Sequence, residues 1–251
     1  SPFLLYESRQ KTRNTFDKLL AVAPVFDNPS TKTAIALRTE MKAFDELEIN
    51  SEIYRDERTL NALPHTKNEV TTINKLFQKS NKTTRLLLNN QATEKSCREN
   101  ISDYDIIHFA THGYSSSENP GLSRLILSRD TSAAADDQKN DAYLHLNETY
   151  ELALNADLVI LSACKTGSGK IIKGEGILAL PRGFIYAGVP NVIASLWKVH
   201  DEKTKQLMIS FYKHLMEDDV SYSEALRQAK LDCIKKGFSP LDWAGFVLIG
   251  S

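Results

Sequence analysis

The sequence predicts an α/β fold in which a mostly parallel sheet is flanked by helices on both faces. Apolar runs of strand length alternate along the 251 residues with segments of helical periodicity. The runs at 157–163 and 191–197 are apolar nearly throughout, which is typical of parallel strands covered on both faces. A hydrophobic content of 41% over this length is enough for a sizeable core.

The predicted strands are short apolar runs bounded by polar or turn-forming residues. They lie at 19–25, 85–88, 105–110, 122–127, 157–163, 191–197 and 246–249. Two polar segments, 28–34 and 129–142, separate these elements and predict loops. The second interrupts the alternation of strands and helices, so we expect a surface insertion there.

Two predicted helices begin with a capping-box pattern, in which a Ser or Thr and a Glu three residues later each satisfy an orphan amide. The first pair is Thr66 with Glu69, and the second is Ser221 with Glu224. Gly237 is expected at the C′ position of the second helix. The inward face of that helix is predicted to carry Leu226, Ala229, Cys233 and Ile234.

Two further helices are predicted. Residues 201–218 carry one apolar stripe, formed by Leu207, Met208, Phe211, Tyr212 and Leu215. Asp201 is a natural N-cap for this helix, because its carboxylate can accept from a first-turn amide. Residues 93–100 are expected to form a short helix.

Charge and hydropathy exclude several classes of function. Lys and Arg number 31, and Asp and Glu number 32, so the formal net charge is −1. This balance excludes a globally basic nucleic-acid binder and an acidic disordered tail, although it does not exclude a local patch. No apolar run approaches the ~18 residues that span a bilayer, and residues 1–13 do not form a signal peptide.

The cysteines, at 97, 164 and 233, are odd in number and widely spaced. This pattern argues against a disulfide framework and favours a reducing, cytoplasmic compartment. Cys97 and Cys233 fall on predicted helices, so both are interpreted as structural. The first residue is Ser and not Met, which favours a fragment of a longer protein or an engineered start.

Two motifs place polar side chains just beyond predicted buried strands. DIIHFATHG ends in His112 and Gly113, and LVILSACKTG contains Cys164. Because reacting groups in open α/β sheets gather beyond the carboxyl ends of the strands, His112 and Cys164 could meet there as a base and a nucleophile. The backbone amides of Gly113 and Cys164 could hold the oxyanion, since glycine allows close approach.

Other interpretations of these residues remain open. His108 and His112 are four residues apart, but Phe109 stands where a zinc-protease helix needs Glu, and this spacing on a strand is too long for one metal ion. Residues 167–170 hint at a phosphate-binding loop, but the flanking positions do not fit. The alternative to a catalytic pair is a structural one, in which the cysteine is simply buried and the histidine is a hydrogen-bonded core residue. His108 is interpreted as such a core residue.

Several segments, taken in order, resemble the CHAT domain, a caspase-like peptidase domain often found downstream of TPR repeats. They include LPHTKNEVTTINKLF (63–77), DIIHFATHG (105–113), LVILSACKTGSG (158–169), GEGILAL (174–180), FIYAGVPNVIASLWKV (184–199) and WAGFVLIG (243–250). Several motifs at appropriate distances are more specific than any single pattern. The resemblance implies one domain at 19–251, preceded by a connecting segment at 1–18.

The resemblance implies a caspase–haemoglobinase-like fold and peptide-bond hydrolysis without a cofactor or metal. Carried onto this chain, it implies that Cys164 is the nucleophile and His112 the catalytic histidine. The N–H groups of Gly113 and Cys164 would hold the oxyanion. His112 would favour the thiolate or protonate the leaving amine, without a carboxylate to orient it.

The resemblance also implies a substrate groove along the strand at 191–197, which we expect to be an edge strand that an extended peptide could join. Ser162, two residues before the nucleophile, carries no charge, so a strong preference for Arg or Lys is not encoded there. Glu175 and Asp201 are candidates for supplying charge nearby. Ser195 and Trp197 are candidate walls of the pocket, with packing at the strand end as the alternative.

The function implied is a regulated cysteine endopeptidase acting on a protein partner. Its regulator would be an upstream TPR or sensor module, in cis or in trans, and its setting prokaryotic defence or signalling. No membrane and no direct nucleic-acid contact are expected for this domain. The alternatives are a catalytically silent CHAT scaffold and a cysteine hydrolase that does not cleave peptides.

Overall fold

The computed structural model describes residues 16–25, 63–115, 121, 123–130, 140–162, 164–166, 179–218 and 220–250. Its strands are β1 (Lys18–Ala23), β2 (Thr83–Leu88), β3 (Ile106–Phe109), β4 (Gly113–Ser115), β5 (Arg124–Ile126), β6 (Tyr143–His145), β7 (Leu158–Leu161), β8 (Cys164–Thr166), β9 (Asn191–Ser195) and β10 (Phe246–Gly250). Its helices are α1 (Thr66–Lys79), α2 (Glu94–Asn100), α3 (Leu146–Thr149), α4 (Ala179–Tyr186), α5 (Asp201–Glu217) and α6 (Tyr222–Lys235).

Six of the described strands form the main sheet, in the order β10–β9–β7–β3–β1–β2. All neighbours are parallel except β10, which is antiparallel to β9. Every residue of β7 and β9 is buried, as their continuous apolar sequences predicted. Helices α1, α5 and α6 cover one face, and α2 and α4 cover the other. The predicted α/β class with helices on both faces is confirmed.

The strand β9 is not the edge strand that the sequence analysis expected. It lies between β7 and β10, and β10 pairs with it from Asn191 through Ser195. The expectation that a peptide adds to β9 within 191–195 is therefore wrong, because the backbone groups on both sides of the strand face neighbouring strands.

A second sheet has the order β6–β5–β4–β8 among the described residues. The apolar run at 122–127 supplies its strand β5, so this run joins the second sheet and not the parallel one. The strands β4 and β8 follow closely after β3 and β7 and are parallel to each other. The second sheet therefore continues from the carboxyl ends of β3 and β7, where the two motifs lie.

The predicted capping box at Thr66 and Glu69 is wrong. The N-cap of α1 is His65, and the Thr66 hydroxyl donates to the carbonyl of Leu63 at 2.8 Å. Glu69 is fully buried and points into the core. The reason is helical geometry: Glu69 shares the inward face of α1 with Val70, so its carboxylate reaches the sheet and not its own N-terminus.

The second predicted capping box is half formed. Ser221 caps α6 by accepting from the Glu224 amide at 3.2 Å, whereas the Glu224 carboxylate binds Arg227 and Gln228. The expected C′ glycine is confirmed, because Gly237 has φ +73° and its N–H donates to the Ile234 carbonyl. The prediction that Ile234 faces inward is wrong, since it is 48% exposed at the end of the helix.

The apolar stripe of α5 is confirmed, with Leu207, Met208, Phe211, Tyr212 and Leu215 buried. Asp201 was expected as the N-cap of α5, but that position is His200. Asp201 is the first residue of the helix, and its Oδ2 accepts from the His65 amide of α1 at 2.8 Å. Within the described ranges, no helix is long and apolar enough to cross a membrane.

Candidate active site

The structure brings the two sequence motifs together at the carboxyl ends of β3 and β7. The last residues of these strands, Phe109 and Leu161, are paired. His112 and Cys164 each follow three residues later, and Gly113 pairs with Cys164 across β4 and β8. His112 is 7% exposed. The relative placement of the two motifs follows from this strand register.

The strand β5 holds the His112–Gly113 segment on one side. The amide of Ile126 donates to the His112 carbonyl at 2.9 Å, and the hydroxyl of Thr111 donates to the Ile126 carbonyl. The Arg124 guanidinium of β5 also lies 5.1 Å from the centre of the Tyr114 ring, a cation–π distance. The residues on both sides of His112 are therefore fixed by one neighbouring strand.

The register also sets the direction of the two candidate oxyanion amides. Because the Ile126 amide bonds to His112, Gly113 and Leu125 form a non-hydrogen-bonded antiparallel pair. The N–H of Gly113 therefore points towards β8, and the N–H of Cys164 points away from β4. One oxyanion held by both amides would require a local change in the pairing of β4 with β8. Their joint role stays a prediction.

A buried polar cluster lies beneath these strand ends. Glu69 Oε1 accepts from His108 Nε2 at 2.8 Å and from the Ser162 hydroxyl at 2.5 Å. The other ring nitrogen of His108, Nδ1, lies 3.2 Å from the Tyr212 hydroxyl. None of the four residues is more than 1% exposed. His108 is thus a hydrogen-bonded core residue, as predicted from the sequence.

Burial sets the protonation of this cluster at Tyr212. Desolvation raises the pKa of Tyr212 well above its ordinary value, and the charge of Glu69 adds to the effect. The neutral phenol can donate to His108 Nδ1, which leaves Nε2–H as the donor to Glu69. This assignment gives every polar hydrogen of the cluster an acceptor.

Glu69 was not predicted from the sequence as a residue near the candidate site. A signal was present, because Glu69 stands on the inward stripe of α1 with Val70, Ile73 and Phe77. A carboxylate on a fully buried helix face needs hydrogen-bond donors, so it predicts polar partners in the facing sheet.

The candidate pocket residues at the end of β9 are engaged in local contacts. The Ser195 hydroxyl donates to the Trp197 carbonyl at 2.6 Å. The indole N–H of Trp197 donates to the Leu241 carbonyl at 2.8 Å, and its ring packs against the backbone of Gly245. These contacts match the packing alternative, and a pocket role for either residue stays a prediction. Glu175 lies outside the described residues.

Asp201 lies beside an open cavity of about 500 Å³, lined by Pro64, His65, His200, Asp201, Glu202, Lys203 and Asp242. Its second oxygen, Oδ1, is buried and has no hydrogen-bond partner among the described residues. Burial raises the pKa of Asp201, and the charge of Glu69 contributes to the rise. Asp201 bonds to His65, the N-cap of α1, and the first turn of the same helix carries Glu69, which contacts Ser162.

The remaining cysteines are structural, as predicted. Cys97 is 1% exposed and Cys233 is 2% exposed. Burial raises the pKa of Cys97 to about 12 and that of Cys233 to about 11, so both thiols stay protonated near neutral pH. In the part of the chain that the structure describes, no three His, Cys, Asp or Glu residues are grouped to hold a metal ion.

A mostly parallel sheet, with a His-Gly pair and a cysteine beyond adjacent strand ends, is the arrangement that the caspase-like resemblance implied. The family model of the CHAT domain matches residues 6–251. The chain therefore belongs to the CHAT domain family, which is part of the caspase-like peptidase clan.

Two curated proteins are similar to parts of the chain. Human Tetratricopeptide repeat protein 28 is 35% identical over 144 residues, which cover 57% of this chain and 5% of that protein. Mouse Tetratricopeptide repeat protein 28 is 28% identical over 198 residues, which cover 66% of this chain and 8% of that protein. The chain thus spans less than a tenth of the length of either relative. The domain boundary at residue 18 stays a prediction, as does the prokaryotic setting.

Proposed function

We propose that the chain is the catalytic domain of a cysteine endopeptidase that cleaves a protein partner through Cys164 and His112. The observation that carries this proposal is the pairing of Gly113 with Cys164, because it sets the histidine segment beside the cysteine segment. Membership of the caspase-like clan supports it. The reaction requires no cofactor or metal.

The proposed chemistry proceeds in two steps. The Cys164 thiolate attacks the carbonyl carbon of the scissile bond, and the Cys164 amide donates to the oxygen that becomes negative. The C–N bond then breaks, and His112 gives its proton to the leaving amine. Water hydrolyses the thioester in the second step, passing a proton to His112 and releasing the carboxylate product with the free cysteine.

Asp201 is proposed to select a basic side chain of the substrate. Its Oδ1 is buried and lacks a partner among the described residues, so a turn of the carboxylate towards the adjacent cavity would let it accept from a Lys or Arg side chain there. Glu202 and Asp242 also line the cavity, together with Lys203, and Asp242 is already bonded to His200. Because Ser162 is uncharged, a preference for Lys or Arg would depend on the acidic residues of this cavity.

The peptidase is further proposed to be the regulated effector of a larger protein. The relatives named for tetratricopeptide repeats favour an upstream TPR or sensor module, in cis or in trans, as the partner. The direction of the Gly113 amide favours an inactive resting state, since the second oxyanion donor faces β8. The proposed setting is the cytoplasm, and membrane and nucleic acid are not among the partners.

The test is cleavage of a proteome-derived peptide library, with Cys164→Ala as the inactive control and Cys233→Ala as a matched control that changes a structural thiol. Cleavage by the unmodified chain and by Cys233→Ala, with none by Cys164→Ala, is the expected result. Cleavage that survives Cys164→Ala contradicts the proposal. Hydrolysis of activated esters without peptide cleavage would instead favour a non-peptidase hydrolase.

Thiol labelling distinguishes a catalytically silent scaffold from a cysteine peptidase and from a non-peptidase cysteine hydrolase. Cys164 in an active dyad should react with iodoacetamide faster than Cys97 and Cys233 in the folded protein. Equal rates would favour the scaffold. We also propose that the segment 129–142 is cleaved as a processing loop. The test is the intact mass of the unmodified chain and of Cys164→Ala after incubation, and an unchanged mass in both would exclude processing.

A further inference from the structure

The buried carboxylate of Glu69 connects the two halves of the candidate site. One of its oxygens bonds to His108, four residues before His112, and to Ser162, two residues before Cys164. These partners belong to different strands, β3 and the end of β7. The helix α1 is therefore bonded to the histidine segment and to the cysteine segment through one atom, Glu69 Oε1.

The hydrogen bond from Ser162 to Glu69 lies two residues before Cys164. Ser162 lies just after β7, and its amide donates to the Phe109 carbonyl at 2.9 Å. That bond fixes the backbone of residue 162 to β3, and the bond to Glu69 fixes its side chain. The next described residue, Cys164, begins β8. The direction in which the chain leaves β7 towards Cys164 is thus set at Ser162.

We propose that Glu69 is a positioning residue for the dyad, and that it acts through Ser162 and His108 to fix Cys164 relative to His112. This inference rests on the proposed function of the two residues. Glu69 is too buried to touch a substrate, so it is distinct from the nucleophile, the base and the pocket residues. Its role depends on Oε1 as a hydrogen-bond acceptor, whereas Oε2 has no partner among the described residues.

The chain offers variants that separate positioning from stability. Glu69→Gln keeps an acceptor oxygen for His108 and Ser162 and places its amide where Oε2 lies. Glu69→Ala removes both bonds. Val70→Ala is the matched control, because Val70 is the buried neighbour on α1 and makes no polar contact with the strands. Ser162→Ala removes one of the two bonds and leaves the His108 pair intact.

The readout is the rate of Cys164 alkylation by iodoacetamide, measured with thermal unfolding of each variant. A thiol that loses its contact with His112 is only a few per cent thiolate at pH 7, so we expect the alkylation rate to fall about tenfold or more in Glu69→Ala. Glu69→Gln keeps the dyad in place and should keep the rate within about threefold of the unmodified chain. Val70→Ala should keep the rate even where its melting temperature falls as far as that of Glu69→Ala.

Three results would overturn the inference. They are equal rates in Glu69→Ala and Val70→Ala, a rate in Glu69→Gln as low as in Glu69→Ala, and an unchanged rate in Ser162→Ala. Ser162→Ala carries the test if Glu69→Ala does not fold. Peptide cleavage is measured separately as kcat and KM, and the proposed positioning lowers kcat more than it raises KM. A chain that cleaves no peptide but shows the expected alkylation rates would contradict the proposed function alone.

Discussion

Gly113 and Cys164 are paired residues of parallel strands, yet they are not in the register of the strands that precede them. The upstream pair is Phe109 with Leu161, so four residues lead from Phe109 to Gly113 and three lead from Leu161 to Cys164. The histidine side thus has one extra residue between the two pairs. This extra residue lies in the segment 110–112, so the two ladders are offset by one residue on the histidine side.

His112→Gln should abolish most peptide cleavage. Loss of a general acid–base group costs about 10²- to 10⁴-fold in rate, and we expect a loss in this range for kcat. The measurement is steady-state cleavage of the best library peptide, with circular dichroism to verify folding. A folded variant that retains more than a tenth of the activity would argue against His112 as the catalytic histidine.

His108→Ala should primarily reduce stability. It removes one of the two donors to the fully buried Glu69, and taking a hydrogen-bond partner from a buried polar group costs about 1–3 kcal/mol. Urea unfolding of the single variant and of the double variant His108→Leu with Glu69→Leu measures this effect. The double variant should be closer to the unmodified chain, because replacing both partners by apolar side chains leaves no buried acceptor without its donor. A loss below about 1 kcal/mol in the single variant would contradict the pairing.

The sequence predicted the main sheet because its strands are covered on both faces. The continuous apolar sequences of β7 and β9 are typical of strands buried on both faces. The apolar stripe at 207–215 has the period of a helix with one buried face. The His-Gly and Cys motifs were located by the same reasoning, since each follows a buried strand. The structure then added the register that joins them.

The features that the sequence did not predict depend on partners far along the chain. Thr66 and Glu69 have the spacing of a capping box, and only the facing strands decide that the carboxylate turns inward. The strand β10 was predicted, but its place beside β9 depends on the path of α5 and α6 between them. Local patterns carry no information on which neighbour a strand finds.

Asp201→Asn should change substrate preference more than overall activity. Hydrogen bonds to charged groups contribute about 1.5–3 kcal/mol, so kcat/KM for peptides with Lys or Arg at the cleavage site should fall at least tenfold. Peptides with Leu or Ala there should be affected much less. Glu217→Gln, at the other end of α5, is the matched control. An equal fall for both classes of peptide would exclude Asp201 as the selecting residue.

Gly183→Ala should destabilise the contact between α3 and α4. A Cβ at this position would lie 2.2 Å from Thr149 Oγ1 and 2.7 Å from Leu146 Cδ1, so these side chains or the helix that carries them must shift. Overpacking of this kind costs about 1–3 kcal/mol. In Gly237→Ala the added Cβ meets nothing within 4 Å, and the cost of about 1 kcal/mol comes from the positive φ alone. A smaller loss for Gly183→Ala than for Gly237→Ala in thermal unfolding would contradict the close packing.

His214 should make stability depend on pH. Partial burial opposes its charge, but hydrogen bonds to Asp218 and Asp232 raise the pKa of His214 above 6.5. The hydrogen bond from His214 lowers the pKa of Asp232 below 3.8. The stabilisation is complete between these two ordinary values, and it is lost as pH rises through the raised pKa of His214 or falls through the lowered pKa of Asp232.

Because these groups are partly exposed, the contribution is about 1 kcal/mol or less. It is measured as the difference in unfolding free energy between the unmodified chain and His214→Gln from pH 5 to pH 9. The difference should shrink as pH rises. A difference that is constant across this range would contradict the ion pairs.

The hydrogen bonds of the buried cluster have a consequence for how the domain folds. They join residues 39, 93 and 104 positions apart in the sequence. Closing such long loops is entropically costly and slow, so these bonds form after the local helices and turns. A growing or truncated chain that lacks α5 has no Tyr212 to complete the cluster, and it cannot hold His108 as the complete domain does. The candidate dyad is therefore expected to be assembled among the last events of folding, so any activity of the proposed dyad would wait for the complete domain.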